Sequence, residues 1–203
     1  MPLYTKDNLS VYYIHVPKTG GTAIHTFFQQ NGFRVDYRDP VVVSIGNKYR
    51  RCSPQHMHAE QILSVLRPHK FDFIFMTVRE PVSRLLSEYK WRMRMSPKIE
   101  PLEPWFRRMT RAYLDDNYVG DNHIRPQSHF WLPTCRIHRH EDGYETSLVE
   151  QIEERFCLRF EHRIMPRENT TEKQAPDLSG MERLLPDIKA FYAEDFIRFG
   201  YQP

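Results

Sequence analysis

Apolar runs rich in β-branched and aromatic residues alternate along the chain with stretches in which apolar residues recur at helical spacing. Strands are predicted at 11–16 (VYYIHV), 41–45 (VVVSI), 71–78 (FDFIFMTV) and 134–140 (TCRIHRH). Helices are predicted at 22–31, 58–67, 81–95, 104–116, 147–156 and 181–196, the last one interrupted by or started at Pro186. The segment 121–135 has no clear period and is predicted to be a structured loop. This alternation is typical of an α/β domain with a parallel sheet.

Length and composition are those of one packed domain spanning residues 1–203. The chain of 203 residues is 40% hydrophobic and 13% aromatic, which is enough for one sizeable core. A net charge of +3 is too mild to favour a nucleic-acid partner. The sequence contains no internal repeat, low-complexity run or linker.

The number and spacing of the cysteines and the lengths of the apolar runs indicate the cellular compartment. The three cysteines, Cys52, Cys135 and Cys157, are odd in number and lack CxxC spacing, so we expect reduced thiols. The sequence has no signal-like segment and no apolar run of membrane-spanning length. We therefore expect a cytoplasmic protein without a membrane span; its oligomeric state is left open.

The segment 15–25 (HVPKTGGTAIH) joins the first predicted strand to the first predicted helix. A strand that turns through glycines into a helix presents free backbone N–H groups to one point, where an anion is favoured. Lys18 adds a full charge, and Gly20 and Gly21 let the backbone come close to an anion. A purely structural Gly-Gly turn is the alternative. Lys18 precedes both glycines, which excludes a Walker motif and disfavours an ordinary ATP or GTP site.

PKTGGT at 17–22 resembles the 5′-phosphosulfate loop of sulfotransferases that use 3′-phosphoadenosine 5′-phosphosulfate (PAPS). The similarity is to the branch that contains heparan sulfate 2-O- and 6-O-sulfotransferases and bacterial relatives. That family binds the 3′-phosphate with an arginine and a serine eight residues apart, and TVREPVSRLLSEYKWR (77–92) supplies Arg79 and Ser87. Glu80 stands where the family more often has Asp. The resemblance therefore implies a donor-binding set of Pro17, Lys18, Thr19, Gly20, Gly21, Thr22, Arg79 and Ser87.

The resemblance continues over most of the chain, at 53–63, 122–130, 169–171 and 192–201. It implies a P-loop-like three-layer α/β fold, with a central mainly parallel sheet flanked by helices. It also implies PAPS as co-substrate, adenosine 3′,5′-bisphosphate (PAP) as product, and a hydroxyl-bearing acceptor such as a glycan. We read the C-terminal part of the similarity, around Tyr192 and Asp195, as a packed terminal helix.

Sulfuryl transfer needs a group that takes the acceptor proton and a group that stabilises charge on the leaving oxygen. Lys18 is predicted to serve the leaving oxygen. The family places its histidine base at the start of a helix after an irregular segment, and His56 has that position. His58 is the nearest alternative, and the more distant ones are His15, His25 and His123.

Acceptor contacts are predicted for Arg125, Gln127 and His123, because loops collect such sites and these side chains can bracket hydroxyl and carboxylate groups. Bracing of the loop is the alternative role for Arg125 and Gln127. Phe130 and Trp131 either stack on a sugar or anchor the loop. The stretch 79–111 has nine basic and four acidic residues, which either attracts an acidic acceptor or forms a solvated helix face.

No metal is expected. The HMH at 56–58 lacks a third ligand at usable spacing, and the HRH at 138–140 has only two adjacent acidic residues. Two other classes of function stay open: a nucleotide-dependent kinase or phosphotransferase, and a catalytically inactive nucleotide-binding relative.

Overall fold

The computed structural model describes residues 1–39, 49–166, 178 and 180–203. Its strands are β1 (Leu3–Lys6), β2 (Leu9–Ile14), β3 (Arg34–Asp36), β4 (Phe73–Val78) and β5 (Arg136–Arg139). Its helices are α1 (Gly21–Gln30), α2 (Ala59–Val65), α3 (Pro81–Met95), α4 (Leu102–Asp115), α5 (Tyr144–Phe156), α6 (Met181–Phe191) and α7 (Ala193–Phe199). None of these helices combines the length and apolar character needed to cross a bilayer.

The strands form one sheet in the order β3-β1-β2-β4-β5. β4 lies between β2 and β5 and is parallel to both, with Tyr13 opposite Phe75 and Met76 opposite Ile137. β1 is antiparallel to β2 and to β3. The predicted α/β fold with a parallel centre is confirmed, and an antiparallel edge is added to it.

Alternation along β2 and β4 builds a core on each side of the sheet. Tyr13 and Phe75 face one side, where α1 and α5 pack. Tyr12 and Met76 face the other side, towards α2, α7 and the loop before β5. Every residue of β4 is buried, as expected for a central strand covered on both faces. Three layers result.

A third apolar cluster joins α3, α4, α6 and α7. Its largest members include Tyr89, Trp105, Phe106 and Tyr192. This cluster fixes α3, which carries Ser87, to the C-terminal helices. The predicted packing of the C-terminal segment agrees with this arrangement, since Tyr192 and Asp195 are fully buried.

Two strands, β1 and β3, were missed by the sequence prediction. β1 and β2 form a hairpin in which Lys6 pairs with Leu9 across the two residues Asp7 and Asn8. Asp7 has a positive φ of 51°, a conformation that Asp and Asn tolerate in tight hairpin turns. The Asp-Asn pair was the signal available in the sequence.

Most predicted helix and strand positions agree with the structure to within a few residues. α3 begins at Pro81 and ends at Met95, as predicted. The prediction for Pro186 is wrong, because α6 runs through it and ends at Phe191. That proline removes only the bond to the carbonyl of residue 182, in the first turn of the helix. The predicted strand 41–45 and the segment 169–171 lie outside the described residues.

Candidate active site

A cleft of about 1210 Å³ opens at the carboxyl ends of β2 and β4. The carboxyl ends of neighbouring parallel strands share one edge of a sheet, so the loops that follow them lie together there. Lys18, Gly20, Gly21 and Thr22 line this cleft, and so do Arg79 and Ser87. The two segments that the sequence predicted to bind opposite ends of one nucleotide therefore face the same space.

The glycines of the 17–22 loop are required by close packing. Gly20 has a φ of 96°, and a Cβ added to it would lie 2.5 Å from the Tyr144 hydroxyl oxygen. A Cβ on Gly21 would lie 2.0 Å from Nε2 of His15. No side chain caps α1, so its first backbone N–H groups are left for another acceptor. The loop has the open amides and the small residues that an anion site requires.

Pro17 and Thr22 line the cleft, but Thr19 does not. The Thr19 side chain is fully buried, and its hydroxyl donates to the Val16 carbonyl at 2.8 Å. It also lies 2.6 Å from the hydroxyl of Thr77, which in turn lies 2.6 Å from that of Tyr13. The Thr19 hydroxyl thus ties the loop to β4, so the expectation that it binds the donor is not supported by its position.

Lys18 reaches across the cleft towards α3. Its backbone is left-handed, with a φ of 70°, and Nζ lies 5.2 Å from the centre of the Trp91 ring. Burial lowers the pKa of Lys18, with Glu88 opposing the shift and neighbouring arginines adding to it. The ammonium lies against an aromatic face and forms no ion pair with a carboxylate among the described residues, so it is available to an incoming anion.

The backbone of Arg79 is fixed by Gln127. The Gln127 amide accepts from the Arg79 N–H at 2.9 Å and donates to the Arg79 carbonyl at 2.8 Å. Among the described residues, the Arg79 guanidinium makes no ion pair. Glu80, the departure from the family pattern, caps α3 by accepting from the N–H groups of Val82 and Ser83.

His56 is paired with a carboxylate at the edge of the cleft. Its Nδ1 lies 2.7 Å from Oδ2 of Asp121, which also accepts from the Ser53 hydroxyl at 2.7 Å. An ionised carboxylate can only accept, so Nδ1 carries the hydrogen and Nε2 keeps the lone pair. The geometry gives His56 the tautomer of a general base.

Burial and hydrogen bonding set the charges of this pair. Burial lowers the pKa of His56 to about 4, although the hydrogen bond that His56 donates to Asp121 opposes the shift. Burial acts to raise the pKa of Asp121, but the hydrogen bonds from His56 and Ser53 outweigh it and lower that pKa. At neutral pH, His56 is therefore uncharged beside a charged Asp121.

Asp121 and Asn122 were not identified from the sequence. Both have left-handed backbones, with φ values of 62° and 63°, and they follow Gly120 in the same conformation. Asn122 is fully buried and donates to the His56 carbonyl at 2.8 Å. The Gly-Asp-Asn run was the available signal, since these residue types tolerate left-handed turns.

The other candidate bases are placed less suitably. His58 caps α2, its Nδ1 lies 2.7 Å from the Gln61 side-chain oxygen, and it does not line the cleft. His25 is buried in α1, also outside the cleft. His15 lines the cleft, but its ring is stacked 5.2 Å from Tyr13 and pressed against Gly21.

His123 forms a second histidine–carboxylate pair, with Glu88 of α3. Its Nδ1 lies 2.7 Å from Oε2 of Glu88, whose other oxygen accepts from Nε of Arg92 at 2.6 Å. Burial would raise the pKa of Glu88, but His123 and Arg92 outweigh it and lower that pKa to about 2. The His123 ring meets that of His56 edge to face at 4.7 Å and stacks on Trp91 at 5.4 Å.

Arg125 and Gln127 are buried beneath the site rather than exposed to an acceptor. Arg125 is 2% exposed and donates to Asn122 and to Asn117. Gln127 is fully buried; its side chain bonds the Arg79 backbone, and its N–H donates to Asp195. Neither lines the cleft, so the geometry assigns both to bracing the 117–128 loop. Arg84, 1% exposed, adds to this by donating to the carbonyls of His123 and Arg125.

Phe130 and Trp131 also lie away from the cleft. Phe130 is fully buried, and the Arg198 guanidinium lies 4.6 Å above the Trp131 ring, so both anchor the loop. The basic stretch 79–111 is partly neutralised, since Arg92 and Arg108 form ion pairs with glutamates.

Basic side chains outnumber acidic ones around the cleft. The basic ones are Lys18, Arg38, Arg50, Arg51, Arg79, Arg92 and Arg163, and the acidic ones are Asp39, Asp121 and Glu145. An excess of positive charge in a concave site attracts anions.

The comparisons with known proteins agree with this geometry. No curated protein and no solved structure matches the chain. The model of the sulfotransferase family matches residues 1–202, which is almost the whole length. The chain therefore belongs to the sulfotransferase family.

Proposed function

We propose that this protein transfers the sulfuryl group of PAPS to a hydroxyl group of a carbohydrate, with His56 as the base. The observation that carries the proposal is the single cleft shared by the 17–22 loop and by Arg79 and Ser87. A nucleotide with anionic groups at both ends requires two such anion sites facing one space.

The residues present fit the donor. The uncapped N-terminus of α1 and the Lys18 ammonium would hold the 5′-phosphosulfate. Arg79, whose guanidinium has no ion pair among the described residues, and the Ser87 hydroxyl would hold the 3′-phosphate. The glycine contacts with His15 and Tyr144 keep the loop amides at the cleft wall.

The transfer step balances with these groups. The acceptor oxygen bonds to sulfur while the bond from sulfur to the bridging phosphate oxygen breaks, and PAP leaves. The hydroxyl proton passes to Nε2 of His56, and Asp121 stabilises the imidazolium that forms. Lys18 stabilises the charge that develops on the bridging oxygen.

The acceptor is proposed to be a glycan, as in the branch that the motifs resemble. Two carboxylate-oriented histidines at the cleft, His56 and His123, suit a substrate that offers more than one hydroxyl group. His123 would contact the acceptor beside the attacking hydroxyl. The positive charge of the cleft also favours an acidic sugar.

Thermal stabilisation by PAP, compared with ATP plus Mg²⁺, tests the donor. At a PAP concentration 100 times the Kd we expect about 2.7 kcal/mol of stabilisation. For a chain of this size that raises the Tm by about 5–10 °C. Arg79→Ala should lose most of this shift, whereas Arg111→Ala, on the exposed face of α4, should keep it. Stabilisation by ATP plus Mg²⁺ and not by PAP would instead favour a phosphotransferase.

Transfer from labelled PAPS to a glycan panel tests the reaction. We expect His56→Ala to lose about 10²–10⁴-fold in rate, the usual contribution of a general base. Tight PAP binding without transfer to any acceptor would indicate an inactive relative. Full activity in His56→Ala would remove His56 from the mechanism.

A further inference from the structure

The histidine–carboxylate pairs described above converge at one end of the cleft. His56 comes from the turn before α2 and His123 from the loop before β5, yet their rings lie 4.7 Å apart. The interplanar angle is 87°. Both side chains are largely buried, with 10% and 12% of their surfaces exposed.

In each of these rings one nitrogen is hydrogen-bonded to a carboxylate, and the other has no partner in the part of the chain that the structure describes. Nδ1 of His56 is bonded to Asp121, and Nδ1 of His123 is bonded to Glu88. The Nε2 atoms are therefore left with lone pairs in both rings. Histidines that bind metals in proteins usually donate their other ring nitrogen to a carboxylate, as His123 does to Glu88, which fixes the ring and raises its basicity.

The distances also suit a small cation. One ligand atom from each of His56, Asp121 and His123 lies within 4.8 Å of the others. His58, although only two residues from His56, takes no part in this group. The ligand set that the HMH spacing did not provide is thus completed from a loop 65 residues further along the chain.

We propose that His56 and His123, with Asp121, form a binding site for a divalent transition metal such as Zn²⁺. Imidazole nitrogens favour Zn²⁺, Cu²⁺ and Ni²⁺, whereas Mg²⁺ and Ca²⁺ prefer oxygen ligands. The carboxylates of Asp121 and Glu88, each 2.7 Å from Nδ1 of one of the two histidines, lie next to the proposed cation.

This site has a consequence for catalysis, which rests on the proposed function. A metal held between Nδ1 of His56 and Asp121 replaces the hydrogen that lies there, so the neutral ring carries its hydrogen on Nε2 and has no lone pair for the acceptor proton. A bound Zn²⁺ would therefore inhibit transfer without displacing PAP, because Lys18, Arg79 and Ser87 are not ligands. Zinc would act as an inhibitor of the enzyme and not as its cofactor.

Calorimetric titration of the full chain with ZnCl₂ at pH 7.5, after chelator treatment, tests binding directly. We expect one tight site per chain that is lost in His56→Ala and in His123→Ala. His58→Ala is the matched control and should keep it, and MgCl₂ should give no binding. Retention of the tight site in both ligand variants would place the zinc elsewhere and overturn the proposal, and so would the absence of a tight site in the parent.

A variant outside the ligand set guards against loss of folding. Glu88→Gln removes the charge that orients His123, and zinc affinity should fall about 10–100-fold, as for other partners of metal-bound histidines. Glu103→Gln, in an exposed pair with Arg107, is its control and should bind zinc as the parent does. Circular dichroism checks that each variant is folded. Equal zinc affinity in folded Glu88→Gln and in the parent would contradict the proposed arrangement.

An inhibition assay tests the catalytic consequence separately from zinc binding. Zinc should abolish labelled transfer with a midpoint that matches the calorimetric Kd, while PAP still raises the Tm. If zinc binds at this site and transfer is unaffected, His56 is not the base, and that part of the proposed function fails while the metal site stands.

Discussion

Replacing Gly21 with alanine separates close packing from helix propensity. Gly21 is the first residue of α1 and, unlike Gly20, it has no positive φ, so the backbone itself accepts alanine. Alanine in a helix is favoured over glycine by about 1 kcal/mol. On propensity alone, Gly21→Ala would stabilise the protein.

Contact with the His15 ring makes Gly21→Ala destabilising instead. The added Cβ would lie 2.0 Å from Nε2 and 2.6 Å from Cε1, well inside contact distance. The ring cannot move away freely, because it lies between Tyr13, at 5.2 Å, and His56, at 5.0 Å. Overpacking of this kind costs about 1–3 kcal/mol, so after the propensity gain of about 1 kcal/mol we expect a net loss of up to about 2 kcal/mol and a Tm lower by up to about 8 °C.

We expect Gly21→Ala to have a larger effect on the rate of transfer than on the free energy of unfolding. A displaced His15 presses on His56, and a shift of about 1 Å in a catalytic group can cost about 10²-fold in rate. Urea unfolding and labelled transfer measure the two effects. Gly180→Ala is the control, since that glycine has a φ of 81° but nothing within 4 Å of an added Cβ. It should lose stability through backbone strain and keep full activity.

A double-mutant cycle completes the test. His15→Ala removes the ring, so Gly21→Ala should cost little in that background, with a coupling energy of about 1 kcal/mol or more. If Gly21→Ala alone is as stable and as active as the parent, the tight contact does not exist and the account of this loop is wrong.

Four further outcomes follow from buried charges. Asp121→Asn should slow transfer at least about 10²-fold and leave PAP binding unchanged in calorimetry, whereas Asp116→Asn, in an exposed pair, should do neither. Because the pKa of His56 is lowered to about 4, the acidic limb of kcat/KM should fall near that value and not near about 6.5. The pKa of Glu88 is about 2 in the folded protein, so its stabilisation is complete above about 4.3 and is lost as the pH falls towards 2. The stability difference between the parent and Glu88→Gln, from urea unfolding, should therefore shrink over that range. Asp195→Asn weakens two buried hydrogen bonds to Gln127 and Ser128, so urea unfolding should show a loss of about 1–3 kcal/mol.

The nucleotide end of the site could be predicted from the sequence because its geometry is local. Lys18 to Thr22 and Arg79 each follow a strong strand signal, and parallel strands bring their carboxyl ends to one edge. Glycine spacing and one arginine–serine interval then suffice to place both segments at one cleft. The inward turn of the Thr19 hydroxyl was not predictable, since it depends on Thr77 across the sheet.

The acceptor end could not be predicted in the same way. Its carboxylates, Asp121 and Glu88, reach His56 and His123 across 65 and 35 residues of chain. The 117–128 loop has no period, so its residues cannot be assigned to a face by pattern. The sequence analysis therefore predicted that Arg125 and Gln127 contact the acceptor, whereas the structure buries both.

The buried polar residues of this loop explain why an irregular segment can hold a reacting group. Asp195 of α7 accepts from the N–H groups of Gln127 and Ser128, both at 2.8 Å, and the Gln127 side chain pairs with the Arg79 backbone. Earlier in the loop, Arg125 donates a hydrogen bond to the Asn122 side chain, and Asn122 donates one to the His56 carbonyl. Arg79, proposed to bind the 3′-phosphate, and His56, the proposed base, are thus both fixed by hydrogen bonds from residues of this loop. Removing one partner leaves a buried polar group without a hydrogen bond and with its desolvation uncompensated. We therefore expect a substitution in this segment to disturb the positions of both Arg79 and His56.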